Sequence, residues 1–144
     1  MNLLRVFVYL PLAFLASQAA TPEEIANAWR KQIAPFETVC ACESGSSVEN
    51  IQSTWASFTY PTNPCFKCYF PCLYRKLGLV LPDGSINRDV MIKTVLGVTG
   101  TIYDTCMAPV VKCLDPCYKI WAFDYCVSYV MNYTAVKPAI TACT

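Results

Sequence analysis

Residues 65–72 read CFKCYFPC, three sulfurs within eight positions. Thiols so spaced can do three kinds of chemistry: dithiol redox exchange, zinc ligation or structural crosslinking. No other side-chain set competes for a catalytic role. The chain has no histidine, which removes a Ser-His-Asp triad, a Cys-His pair, an H-E-x-x-H zinc site and a histidine-aspartate phospholipase site. Paired carboxylates for glycoside hydrolysis would need acids in a cleft. Among the ten acids, though, Glu23, Glu24, Glu49, Asp83 and Asp115 stand at helix caps or turns. The reading is therefore no enzyme, no metal and no cofactor, and the cysteines must be explained by where the chain lives.

The N-terminus answers that question. Arg5 precedes an apolar run from Val6 to Ala16, and the small residues Ser17 and Ala19 follow. This is the pattern of a secretory signal peptide over residues 1–19, cut after Ala19, and too short for a spanning helix. Pro11 inside the run suits a segment that is removed rather than folded. Residues 20–144 then form one exported domain, large enough for a modest core and with no further membrane insertion expected. Loss of Arg5 takes the formal charge from +1 to zero. A neutral chain without charge runs excludes nucleic acid and an anionic-lipid anchor as expected partners. Hydrophobic residues make up 55% of the sequence and mean hydropathy is +0.35, so apolar surface must fill a core, an interface or a cavity. All ten cysteines fall after residue 19, and in an oxidising compartment that means up to five disulfides with connectivity left open.

The elements that hold these sulfurs read as helices. Thr21-Pro22-Glu23-Glu24 is a capping box, opening a helix expected to run to Ala34 and stop before Pro35. Ser46 with Glu49 repeats the signature. Pro61 and Pro64 separate that second helix from a third, which carries CFKCYFPC and ends at Gly78 with Leu79 packing back. A Pro-Asp-Gly turn follows. Asn87 caps a fourth helix ending near Gly97 and Gly100, and TIYDTCMAPVVKC reads as a fifth, strained by Pro109. Asp115 with Pro116 opens the sixth, whose Ile120, Trp121, Phe123, Tyr125, Val127, Tyr129, Val130 and Met131 make it apolar nearly all round. Such a helix runs through the middle of a molecule. The expected class is all-α: a compact six-helix, disulfide-stapled domain around an apolar cavity.

On a helix, Cys68 and Cys72 share one face, one turn apart. Cys117 and Cys126, nine positions apart, point to opposite sides of theirs at ~100° per residue. Each sulfur is thus placed to bridge to a different neighbour, and the thiols of CFKCYFPC read as staples. The spacing Cys40-x27-Cys68-x3-Cys72-x33-Cys106-x10-Cys117-x8-Cys126 resembles the six-cysteine pattern of insect odorant-binding proteins, the pheromone- and general-odorant-binding family. The x3 and x8 gaps are its most specific elements. CYFPCLYRKLGLVLPDGSIN and DPCYKIWAFDYC are similar to its third-helix and sixth-helix segments, and the resemblance spans residues 22–133.

That resemblance implies the bridges Cys40–Cys72, Cys68–Cys117 and Cys106–Cys126. Four cysteines depart from the family pattern: Cys42, Cys65, Cys113 and Cys143. Elimination would join Cys42 to Cys65 and Cys113 to Cys143, while Cys113 in the place of Cys106 is the competing assignment. The implied function is a secreted carrier for a small hydrophobic ligand such as an odorant or pheromone. A stapled helical shell can keep an apolar cavity of ~300–1,000 Å³ from collapsing. Candidate lining residues are Phe58, Leu73, Leu77, Met91, Val95, Met107, Val111, Trp121, Phe123, Tyr129 and Tyr133, with ordinary core packing the competing account of each. Trp121 and Phe123 lead by their place on the central helix, and Met91 and Met107 by their adaptable thioethers. Beyond the apolar ligand, a membrane receptor and a homodimer stand as open partners.

Three further expectations follow. Acid-triggered release in relatives is often attributed to histidines; with none here, binding should change little between about pH 7 and 5.5. Asn132-Tyr133-Thr134 is a glycosylation sequon, expected to stay unused at the end of a buried helix. No buried charge is evident to receive an amine, which favours apolar guests. The alternatives are a salivary or venom-type scavenger on the same scaffold, and an interaction module with a solid core. Plant lipid-transfer proteins are set aside because their adjacent Cys-Cys pair is missing.

Overall fold

The local signals in the chain translate into seven α-helices in a computed structural model that describes residues 20–131 and 137–143. Helix α1 spans Pro22–Ile33, opened by the capping box: Thr21 Oγ1 accepts from the Glu24 amide at 3.2 Å, and the Thr21 amide donates to Glu24 Oε2 at 2.7 Å. The chain does not stop at Pro35. It tightens into a 3-10 turn, Ala34–Phe36, and continues at once into α2, Glu37–Ser44. Pro35 sits in the first turn of that 3-10 segment, where a missing N–H leaves no bond unmade. Counted as one bent run, residues 22–44 make the first of six helical runs.

Helix α3 spans Val48–Ser57 and is capped by Ser47, whose Oγ accepts from the Asn50 amide at 3.1 Å. The cap is one residue later than Ser46, which is buried. Helix α4, Pro64–Lys76, starts on an Asn63 cap and ends as expected: Gly78 is left-handed at φ 69° and the Leu79 amide returns to the Tyr74 carbonyl. Helix α5, Arg88–Thr94, is capped by Asn87; α6, Gly100–Met107, by Thr99. Helix α6 ends before Pro109 rather than running on to Cys113, because a proline ring there would oppose the carbonyl four residues back. Helix α7, Pro116–Val130, begins on the Asp115 cap and buries residues from Ile120 to Ser128, while Val130 emerges into solvent. No strand forms among the described residues; one isolated bridge, Val80 with Ile86, closes the Pro-Asp-Gly loop.

Helix α7 packs along α4, and α2 and α6 flank that pair. Sulfur bridges stitch the same seams. Cys40–Cys72 joins α2 to α4 and Cys68–Cys117 joins α4 to α7, with Cα separations of 5.5 and 4.4 Å. Cys106–Cys126 joins α6 to α7, and Cys113–Cys143 pins the C-terminal tail to the turn after α6. The tail is also held by the Tyr118 hydroxyl, which donates to the Thr141 carbonyl and accepts from its amide. Closing loops of 20 to 49 residues, each bridge stabilises by ~3–4 kcal/mol through the unfolded chain.

Elimination fails for the fifth pair. Cys42 and Cys65 are both free and exposed. Two positions along a helix is ~200° of rotation, so with Cys40 turned toward α4, Cys42 is turned away from it. The signal-peptide segment and the Asn132 sequon lie outside the described residues. Among the described residues, no helix is long and apolar enough to cross a membrane.

Candidate functional site

A hollow opens between α1, α5 and α7. From α7 come Asp124, Val127, Ser128 and Met131, whose 3-1-3 spacing sets them on one face. Helix α1 contributes Ile25 and Trp29, one turn apart; Met91, Val95 and Leu96 close the α5 side, and Phe58 enters from the end of α3. The lining runs from exposed Leu96 inward to fully buried Met91. The enclosed space between these side chains is narrow, a cavity of about 30 Å³.

Local backbone chemistry sets two rim positions. Phe58 terminates α3 in the left-handed region at φ 49°, which carries its ring inward, against Trp55 at 6.5 Å and beneath the Arg30 guanidinium at 5.5 Å. Arg30 also donates to the Trp55 carbonyl. Gly97, left-handed at φ 86°, lies so close that a Cβ there would sit 2.5 Å from Met131 Cε and 2.8 Å from Ile25 Cδ1.

One end of the hollow is polar. Asp124 is 5% exposed, yet its Oδ2 accepts from the Tyr60 hydroxyl at 2.7 Å and its Oδ1 from the Tyr74 hydroxyl at 2.8 Å. With the Tyr60 proton so committed, Ser128 Oγ, 2.5 Å away, donates to the Tyr60 oxygen. Tyr60 is clamped between stacked rings of Phe70 and Tyr125, so its hydroxyl has a fixed aim. Burial pushes the Asp124 carboxyl up to about 6, an effect the two phenol hydrogen bonds only partly offset. Burial, and next the nearby Asp124 charge, hold Tyr60 and Tyr74 well above the usual phenol range.

A family model for the PBP/GOBP family matches residues 23–129. The chain belongs to the PBP/GOBP family. No protein of curated function matches it in sequence. Among solved structures it is similar to Odorant Binding Protein 7 from Anopheles gambiae, a form with four disulfide bridges in complex with an azo compound. The two share 22% identity and a TM-score of 0.53 over 76% of this chain and 96% of that one, a likeness that shows the all-α fold. As a PBP/GOBP member the protein is a ligand-binding carrier rather than an enzyme.

Within this family fold, the eleven residues named from sequence divide sharply. Phe58, Met91 and Val95 come together at the hollow. Leu73 and Phe123 have no exposed surface and pack in the core, Phe123 edge-on to Tyr103 at 5.2 Å. Trp121 is buried elsewhere, with Tyr118 and Tyr125 around it and Lys67 Nζ 4.8 Å over its ring. Leu77, Met107 and Tyr129 are half-buried and do not line the hollow. Val111 is 57% exposed: with α6 ended before Pro109, it lies in a turn that offers it no buried face. Tyr133 lies outside the described residues. Sequence reading missed Ile25, Trp29, Leu96, Asp124, Val127, Ser128 and Met131. The visible signal was Asp124 itself, a lone acid inside IWAFDYCV, the most apolar helix of the chain.

Proposed function

We propose that the protein is a secreted carrier for a small, mainly apolar organic ligand of the odorant or pheromone kind, held between α1, α5 and α7. The observation that carries this reading is the hollow itself, an apolar-lined space reaching from exposed Leu96 to buried Met91 inside a helical shell of the PBP/GOBP family. Export is supported by the signal-peptide pattern of residues 1–19, which leaves a domain of residues 20–144, and by the four disulfides. The azo compound bound by Odorant Binding Protein 7 supports the scaffold's capacity for a small organic guest.

The narrow waist makes a further demand. A guest must push side chains outward, and the thioethers of Met91 and Met131 are suited to that because three soft torsions let them repack at little cost. A displaceable fluorescent apolar probe tests the reading. Uptake with roughly micromolar affinity, typical of small-ligand sites, is expected, and so is its loss in Val95→Trp, which fills the hollow. A folded protein that takes up no probe, or a Val95→Trp variant that binds as well as the parent, refutes the assignment. The first outcome would make the domain a solid interaction module.

A further inference from the structure

The inner end of the hollow holds a carboxylate with no counter-charge. Asp124 is buried, and the groups that face it are phenols: Tyr60 from the segment after α3 and Tyr74 from α4, with Ser128 beyond. The arginines of the flanking helices are engaged elsewhere, and Lys31 on α1 and Lys93 on α5 are exposed to solvent. Arg30 on α1 is held by the Trp55 carbonyl and the Phe58 ring, and Arg88 on α5 pairs with Asp104. Among the described residues the other ion pairs are Arg75 and Lys76 with Glu43. A buried ionised carboxylate served only by neutral donors is costly, and a cation brought beside it recovers much of that cost.

Each carboxylate oxygen has two lone pairs and receives one phenol proton, so acceptor capacity remains on Asp124, which is among the residues lining the hollow. Trp29, Met91 and Val95 provide the apolar walls beside it. We propose that the preferred guest is a small primary amine, its ammonium group donating to Asp124 and its hydrocarbon body lying among Trp29, Met91 and Val95. This rests on the carrier reading and names the ligand class of the same site. An alcohol can also donate to Asp124, but a charge-assisted N–H···O bond is about twice as strong as a neutral one.

Hexylamine, 1-hexanol and hexane compete for the fluorescent probe at pH 7.5 in the test. Hexylamine is expected to bind at least about tenfold tighter than 1-hexanol, in line with a charge-assisted bond in a dry site. Asp124→Asn keeps the shape, removes the charge and should erase that preference, bringing hexylamine down to the affinity that 1-hexanol has for the same variant. Equal or tighter binding of 1-hexanol by the parent, or an amine preference that survives in Asp124→Asn, overturns the amine assignment and leaves the carrier reading standing. Failure of the parent to bind the probe or any of the three compounds overturns both. Should Asp124→Asn not fold, calorimetry of the parent at pH 6 in two buffers of different ionisation heat decides. Hexylamine binding should release protons, because it favours the ionised carboxyl, and 1-hexanol binding should not. Hexylamine binding without proton release overturns the proposal.

Discussion

Acidification from pH 8 to pH 5 should stabilise this protein, and Asp124 should be the reason. Its carboxyl titrates near 6 in the folded state against 3.8 when solvated, so over the intervening range the native state binds more protons than the unfolded chain. Unfolding free energy then falls as pH rises, the reverse of the usual behaviour of a paired carboxylate. Two pKa units correspond to ~3 kcal/mol in total, of which ~1.4 kcal/mol accrues between pH 8 and 5 and the rest below that. The contribution is complete once the pH is well under 3.8 and absent above about 7. Full burial of the group means solvent does not discount the effect. Partly buried Glu37, also raised by burial, adds with the same sign at the acid end. Urea melts at pH 5, 6, 7 and 8 measure the slope, and Asp124→Asn should flatten it. A parent stability that is level or rises toward pH 8, or an equal slope in Asp124→Asn, refutes the reasoning. The same group revises the expectation of pH-indifferent binding. That expectation counted histidines, whereas a buried carboxyl titrating near 6 lies inside the pH 7 to 5.5 window, and amine binding should weaken across it.

Other measurements bear on the sulfurs and the rim. Unfolding without reductant should expose two thiols per chain, Cys42 and Cys65; an intact mass showing five bridges would contradict this. Replacing Cys113 and Cys143 together by serine should cost ~3–4 kcal/mol, given a closed loop of 30 residues, and unchanged urea melts would show that the tail is not held by that bond. Gly97→Ala should destabilise by ~1–2 kcal/mol from left-handed backbone strain and impair probe uptake, since its Cβ would press on Met131 and Ile25. A neutral result there would show that the rim is not tight.

Helix starts were legible wherever a polar side chain could serve a spare amide: Thr21, Asn87 and Asp115 cap where the sequence places them. Helix α2 was not, because Phe36 at its start offers no side-chain bond and its eight residues are too few to display a period. Ser46 and Ser47 are both competent caps, and only the burial of the first decides between them. Pro109 should have ended α6, and the apolar residues on either side masked it. The site was harder to read. Any of the apolar residues could face a void or a neighbour, and which does so depends on how helices cross rather than on the residue's own type. Met91 and Met107 look alike in sequence, yet one lines the hollow and the other does not. Asp124 carried a signal that the sequence reading passed over when it found no buried charge: an acid within a buried apolar helix must have partners, and here they are Tyr60 and Tyr74.

Neither α1 nor α5 contains a cysteine, whereas α2, α4, α6 and α7 are all joined through sulfur. The hollow therefore has one side inside the covalent frame and one, α1 and α5, outside it. Outward rocking of the α1 and α5 flank, with the covalent frame in place, is the expected route for cargo. Amide deuterium uptake should follow that division, quick along that flank and slow in the α4–α7 keel, and occupancy should slow the flank more than the keel.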